Sequence, residues 1–169
     1  TFLALSLLKN GKLKDAEKAL GKSLALNANQ TDARKALAYV YLLRGKLDSA
    51  ITQTKALIQS NLQDAEVYYI LGWANLRLGK NSEALENGQL AVDLNPNFAQ
   101  AYLLRAFGMM NSGFDKEEYA AKSARYGNAA DNLGKYIMLS KNLPNQSFWR
   151  GQEETLRRFA DFYAQREKE

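Results

Sequence analysis

The chain has 169 residues, of which 46% are hydrophobic and 24% are charged, and its formal net charge is +5. This length and hydrophobic content suffice for one ordinary domain with a substantial core, and they argue against disorder. Because Lys and Arg are interspersed with Asp and Glu and form no basic run, we expect no nucleic-acid partner.

Helices are the predicted elements throughout, because only two prolines stand among many Ala, Leu, Lys and Glu residues. The first stretch, TFLALSLLKNGK, lacks a basic leader and a cleavage site, so we do not expect it to act as a signal peptide as it stands. No apolar run approaches the roughly 20 residues that span a bilayer, and we expect no membrane insertion. The opening helix looks cut into from its N-terminal side, so we expect the chain to be part of something longer.

The sequence contains a repeat with a period of 34 residues. Glycine recurs with this spacing at Gly11, Gly45, Gly79 and Gly113. Alanine stands five residues after the first three of them, at Ala16, Ala50 and Ala84. Seven residues before the glycines stand Ala4, Ala38, Gly72 and Ala106, preceded by Leu3, Leu37 and Leu71 in the first three units and by Arg105 in the last. Small residues let two crossing helices approach closely, so each unit is predicted to be a helix pair that stacks on its neighbours.

The third unit defines the predicted pair. Helical spacing runs from Ala65 to Leu78, and Gly79 supplies a left-handed stop. The second helix is predicted from about Ser82 to Leu94, where Pro96 blocks continuation.

Residues 65–98, AEVYYILGWANLRLGKNSEALENGQLAVDLNPNF, resemble the tetratricopeptide repeat (TPR) family in their aromatic, Leu-Gly, turn glycine, alanine and terminal proline positions. The resemblance implies an all-α, right-handed α-solenoid. Its predicted divisions are a TPR array over 1–126, with a truncated first unit (1–30), two full units (31–64 and 65–98) and a degraded fourth unit (99–126). Three positions depart from the family pattern and leave local packing open: Thr54 and Gly88 replace bulky apolar residues, and Leu62 replaces a closing proline.

Residues 127–169 are predicted to be a C-terminal helical extension of the same domain. Residues 146–166 carry one apolar stripe, Trp149, Leu156, Phe159, Ala160 and Tyr163, and a charged back. That pattern favours a cap on the last repeat, and the alternative is a helix offered to a partner. This part of the chain also resembles the ends of TPR segments in bacterial envelope proteins, so the compartment stays open between cytoplasm and periplasm.

The helix from 65 to 78 is apolar on two faces. Tyr68, Leu71, Gly72 and Asn75 share one face, which we expect to pack on the partner helix. The TPR resemblance implies that the second face lines a concave groove. The resulting candidate peptide-binding residues are Lys35, Tyr39, Leu42, Tyr69, Trp73, Leu76, Arg77, Leu103, Phe107 and Met110. Tyr39, Trp73 and Phe107 would form an aromatic ladder, which is either a binding surface or packing.

Some TPR domains bind the terminal carboxylate of a peptide with a lysine and with an asparagine four residues later. We do not expect that mode here, because Tyr39 takes the place of the asparagine four residues after Lys35. No catalytic residue, metal ligand or cofactor is predicted, because the chain has no His, no Cys, no phosphate loop and no dinucleotide fingerprint. Acidic clusters at Asp115–Glu118 and Glu153–Glu154 fit a helix start and a polar helix face. The predicted function is a non-catalytic protein-interaction module that binds a peptide or helix. The alternative is a structural segment of a larger chain whose groove is filled internally.

Overall fold

The structure is a computed structural model that describes residues 6–7, 10–112, 118–140 and 142–168. Within these residues the chain forms eight helices and no strand. The helices are α1 (Leu13–Leu26), α2 (Thr31–Leu43), α3 (Leu47–Gln59), α4 (Ala65–Arg77), α5 (Asn81–Leu94), α6 (Ala99–Asn111), α7 (Tyr119–Leu139) and α8 (Gln146–Arg166).

Each helix packs on the next one along the chain, and α4 also touches α2 and α6. The apolar core is a series of adjoining clusters along the stack. Contacts that join only near neighbours characterise a solenoid, so the predicted all-α solenoid is confirmed.

The two helices of each pair are joined by a turn, and these turns repeat every 34 residues. Positive φ angles of 69°, 74° and 75° occur at Gly11, Gly45 and Gly79. In the third turn, the Gly79 N–H donates to the Leu76 carbonyl (3.0 Å), and the Lys80 N–H donates to the Asn75 carbonyl (2.9 Å). These bonds satisfy the last carbonyls of α4, and glycine adopts the left-handed φ at little cost. The left-handed stop predicted at Gly79 is therefore confirmed.

Gly72 lies where three helices meet. A Cβ atom placed on it would lie 2.5 Å from Leu104 Cδ2 on α6 and 3.3 Å from both the Ala84 carbonyl oxygen and Asn87 Cβ on α5. Close approach of these backbones explains the small residue at this register position.

The small residue at Gly88, a departure from the family pattern, fits the break in the repeat register at Arg105. Gly88 on α5 leaves a space, and a Cβ atom there would lie 2.8 Å from Arg105 Cγ on α6. The aliphatic part of Arg105 thus occupies the room that a bulky residue at position 88 would fill. Thr54, the other departure inside a helix, is fully buried and its hydroxyl donates to the Ala50 (3.0 Å) and Ile51 (2.9 Å) carbonyls of its own helix.

The predicted division between residues 126 and 127 falls inside α7, which runs unbroken from Tyr119 to Leu139. The helix runs through this division, and its buried residues, such as Ala129 and Leu133, all lie on the C-terminal side of it. The predictions at Leu3, Ala4 and residues 113–117 lie outside the described residues.

Candidate peptide-binding groove

The ten candidate residues lie on α2, α4 and α6, the first helices of successive units. α4 packs between the other two, so the three helices form one layer. The structure therefore brings the candidates together, but it gives them different surroundings.

Four aromatic rings form a continuous row across this layer. The ring centroids of Trp73 and Phe107 are 5.6 Å apart, and those of Tyr69 and Trp73 are 6.3 Å apart in an edge arrangement. Phe98, which was not predicted, extends the row with its centroid 5.2 Å from that of Tyr69. Each of the four side chains is only partly buried. Tyr39 lies on the neighbouring helix, is 39% exposed and has no ring partner within the described residues.

Trp73 packs against two core clusters, one that includes Ala38 and Leu42 and one that includes Leu104. Its indole Nε1 is buried and makes no hydrogen bond within the described residues. Burial raises the pKa of Tyr69 to about 12, and the Tyr39 phenol adds to that rise.

Four aliphatic candidates contribute mainly to packing. Leu42 and Leu76 are only 6% and 7% exposed. Leu103 and Met110 are partly buried and pack against a cluster formed with α7 and α8, which includes Leu133. The C-terminal helices thus cover the α6 side of the candidate groove.

Lys35 is held by two carboxylates. Its Nζ lies 2.8 Å from Asp64 Oδ2 and 2.8 Å from Glu66 Oε2. Burial lowers the pKa of Lys35, but its hydrogen bonds to Asp64 and Glu66 outweigh that effect and raise it overall. Burial likewise raises the pKa of Asp64, and the bonds from Lys35 and from the Glu66 and Val67 amides outweigh it, so the pKa is lowered. Asp64 also caps the start of α4, accepting from the Glu66 N–H at 2.8 Å.

Arg77 has a structural partner. Its Nη1 donates to the Leu42 carbonyl oxygen at 2.6 Å, in the last turn of α2. A cation at a helix C-terminus interacts favourably with the unpaired carbonyls and with the helix dipole. Arg77 therefore joins α4 to α2 while its side chain stays at the edge of the layer.

A cleft of about 310 Å³ lies beside the aromatic row. It is lined by Lys35, Gln63, Asp64, Ala65, Glu66, Leu94, Asn95 and Phe98. Two carboxylates and one ammonium group give this lining a local charge of −1, next to the apolar surfaces of Leu94 and Phe98. The cleft can accept a cationic or amide group adjacent to an apolar one.

Residues 7–74 match the family model for the tetratricopeptide repeat. These residues are tetratricopeptide repeats. Solved structures share the fold over nearly the whole chain. A crystal structure of MamA is 19% identical, with a TM-score of 0.65, and the match covers 98% of this chain and 96% of that one.

Two further MamA structures share this fold, each with 23% identity and a TM-score of 0.64. The first match covers 96% of this chain and 84% of that protein; the second, residues 41 to the end of MamA from Desulfovibrio magneticus RS-1, covers 80% and 71%. No curated protein matches the sequence. At these identities the likeness concerns the fold alone.

The TPR pattern did not indicate Phe98, Asp64 or Glu66 as groove residues. Phe98 precedes α6, and Asp64 precedes α4, so both lie just outside the helical periodicity that selected the candidates. An acidic residue immediately before a predicted helix is a capping signal, and it could have placed Asp64 at the edge of the groove.

Two further properties of the described ranges bear on function. None of their helices combines the length and apolar character needed to cross a bilayer. They also bring together no group of three or more acidic side chains that could hold a metal ion.

Proposed function

We propose that this chain is a non-catalytic TPR interaction module that holds a segment of a partner protein against α2, α4 and α6. The TPR match supports a protein partner in general terms. The observation that carries the specific proposal is the row formed by Tyr69, Trp73, Phe98 and Phe107, which the fold leaves partly uncovered. Partly exposed aromatics beside an open cleft are typical anchors for apolar side chains of a ligand.

The chemistry of the groove favours a particular kind of segment. The aromatic row suits a large apolar side chain, and Tyr39 offers an exposed ring next to it. The cleft beside the row has a local charge of −1, and Glu66 is its more exposed carboxylate, with 60% of the side chain accessible. We therefore expect an apolar anchor followed by a Lys or Arg. A terminal carboxylate is disfavoured because Lys35 is already bound by Asp64 and Glu66.

A second candidate function is structural. Leu103 and Met110 lie against the cluster built with α7 and α8, so the chain itself covers part of the predicted groove. In this alternative, the remaining surface is also filled by protein from the same chain, and free peptides find no site.

Selection from a displayed peptide library, followed by fluorescence polarisation with the selected peptides, tests the proposal. Truncating an interface aromatic costs on the order of 1 to 2 kcal/mol, so Tyr39→Ala should weaken binding by about 5- to 30-fold. Leu90→Ala is the matched control, because Leu90 is 43% exposed, lies on α5 and is not a candidate groove residue. It should bind like the parent chain.

Circular dichroism of both variants confirms that they stay folded. Peptides that bind equally well to Tyr39→Ala and to the parent chain would contradict the groove proposal. Failure to select any peptide would favour the structural alternative.

A further inference from the structure

The candidate groove has a second aromatic wall, which comes from the C-terminal helices. Tyr136 on α7 and Trp149 on α8 lie in edge contact, with ring centroids 5.5 Å apart and ring planes at 81°. Both side chains are only partly buried. Both pack against the core cluster of α6, α7 and α8 against which Leu103 also packs. Leu103 stands 34 residues after Tyr69, so this wall adjoins the first-helix positions that carry the candidate groove residues.

Tyr136 flanks Tyr69 from one side, and Tyr39 flanks it from the other. The helices α2, α4, α6 and α7 follow one another in this order, each in contact with the next. Tyr39 lies on the first of them and Tyr136 on the last. Burial is the main cause of the raised pKa of Tyr69, and the phenols of Tyr39 and Tyr136 both add to the rise. Because charges interact over about 10 Å at 0.1 M salt, both hydroxyl groups lie within about that distance of the Tyr69 hydroxyl.

The hydroxyl groups of Tyr39 and Tyr136 are available to a ligand. Neither makes a hydrogen bond to the part of the chain that the structure describes. Among the enclosed polar side-chain atoms of that part, only Trp73 Nε1 lacks a partner, so the Tyr136 hydroxyl is accessible to solvent. A phenol can donate one hydrogen bond and also accept, so each hydroxyl can bind either an N–H or a C=O group.

Two hydroxyl groups placed in this way favour an extended ligand over a helical one. An α-helix uses its backbone N–H and C=O groups internally, and it is about 10 to 12 Å wide with its side chains. An extended segment leaves main-chain groups unpaired and rises about 3.3 Å per residue. Since each hydroxyl lies within about 10 Å of that of Tyr69, the two are at most about 20 Å apart. About six extended residues cover that span.

The charge of the groove suits a segment with one cationic side chain. Glu66 offers an exposed carboxylate in the cleft beside the aromatic row. We propose that Tyr136, which lies beyond the four predicted repeat units, is a ligand-binding residue of this groove. In this arrangement the groove takes an extended peptide with an apolar and a cationic side chain, and the peptide main chain bonds to the Tyr39 and Tyr136 hydroxyls. The inference rests on the proposed function and adds to it a residue outside the repeats and a ligand conformation.

Fluorescence polarisation with library-selected peptides tests Tyr136 through its hydroxyl alone. Tyr136→Phe retains the ring that packs on Trp149 and removes one oxygen atom. It should weaken binding by about 2- to 10-fold, as expected for one lost neutral hydrogen bond, and change the melting temperature little. Tyr119→Phe is the matched control, because Tyr119 lies about 25 Å away at the other end of α7, where it stacks on Tyr163. It should bind like the parent chain.

The conformation of the bound peptide is measured separately. The ¹³Cα chemical shifts of a ¹³C-labelled selected peptide in the complex distinguish an extended backbone from a helical one. We expect extended values over about six residues. Replacing single peptide amides by esters should weaken binding at the positions that bond to the phenols. The ester at the position that meets Tyr136 should cause no further loss with Tyr136→Phe, because the two changes remove the same hydrogen bond.

Weaker binding by Tyr136→Phe, parent-like binding by Tyr119→Phe and an extended bound peptide are the expected results. Peptides that lose affinity for Tyr39→Ala but not for Tyr136→Phe would overturn this inference and leave the groove proposal standing. A helical bound peptide would also overturn it. If no peptide is selected, the groove proposal and this inference fail together.

Discussion

Replacing Gly72 by alanine tests whether the meeting point of α4, α5 and α6 is as closely packed as the structure indicates. The new methyl group would lie 2.5 Å from Leu104 Cδ2, whereas carbon atoms in contact are about 3.5 to 4.0 Å apart. Leu104 would have to retreat by about 1 Å, but it is fully buried and has no free volume to enter. Overpacking of this kind typically costs about 1 to 3 kcal/mol.

Alanine also has a favourable effect in any helix. It stabilises a helix interior by about 1 kcal/mol relative to glycine, which leaves a net loss of about 0 to 2 kcal/mol for Gly72→Ala. Gly21→Ala is the control, since Gly21 is helical and has open space around it. It should gain about 1 kcal/mol, so the two variants should differ by about 1 to 3 kcal/mol.

Urea unfolding followed by far-UV circular dichroism measures this difference directly. For a chain of 169 residues, each kcal/mol shifts Tm by about 2 to 4 °C, so thermal melts should separate the two variants by several degrees. Equal stabilisation by both substitutions would refute the claim that Gly72 is required for close helix approach.

Two further predictions concern packing and pH. Gly88→Leu and Arg105→Ala should each lower the free energy of unfolding, and the double variant should recover part of the loss, with a coupling of about 0.5 to 3 kcal/mol in a double-mutant cycle; strictly additive losses would show that these side chains do not share a space. The pKa of Tyr69 is raised to about 12 in the folded chain, whereas an unfolded tyrosine ionises near pH 10. The contribution of Tyr69 to the free energy of unfolding is therefore complete below about pH 10 and is lost as the pH rises towards 12, by at most about 2 to 3 kcal/mol. Urea titrations at pH 8 to 11 should show this alkaline loss in the parent chain and a smaller one in Tyr69→Phe, and the same loss in both would exclude Tyr69 as its source.

Periodicity was sufficient to predict most of the fold. The 34-residue register located the left-handed turns, and the helix predicted from Ala65 to Leu78 differs from the observed Ala65–Arg77 by one residue. Both signals are local, because a positive φ angle and a helical stripe depend mainly on nearby residues. The division between residues 126 and 127 was placed beyond Gly113, the last glycine of that register, and it falls within a continuous helix.

The candidate groove was less accessible to prediction. A helical wheel gives the direction of a side chain but not what covers it. It therefore grouped Leu76, which is 7% exposed, with Tyr39, which is 39% exposed. It also treated Arg77 as available for a ligand, whereas that side chain binds the end of α2 through a contact 35 positions away in the sequence. Such partners depend on how neighbouring repeats stack, which the spacing within one repeat does not specify.

The fit between Gly88 and Arg105 limits how freely the repeats of this protein can be exchanged. Residues 65–98 end before Arg105, so a cassette containing only that repeat carries the space without the side chain that occupies it. Duplicating the cassette would place Leu71, the register counterpart of Arg105, over Gly88 in the new junction. A designer who wishes to lengthen this array would therefore transfer both positions together, with the cut placed after residue 105 rather than at the sequence period.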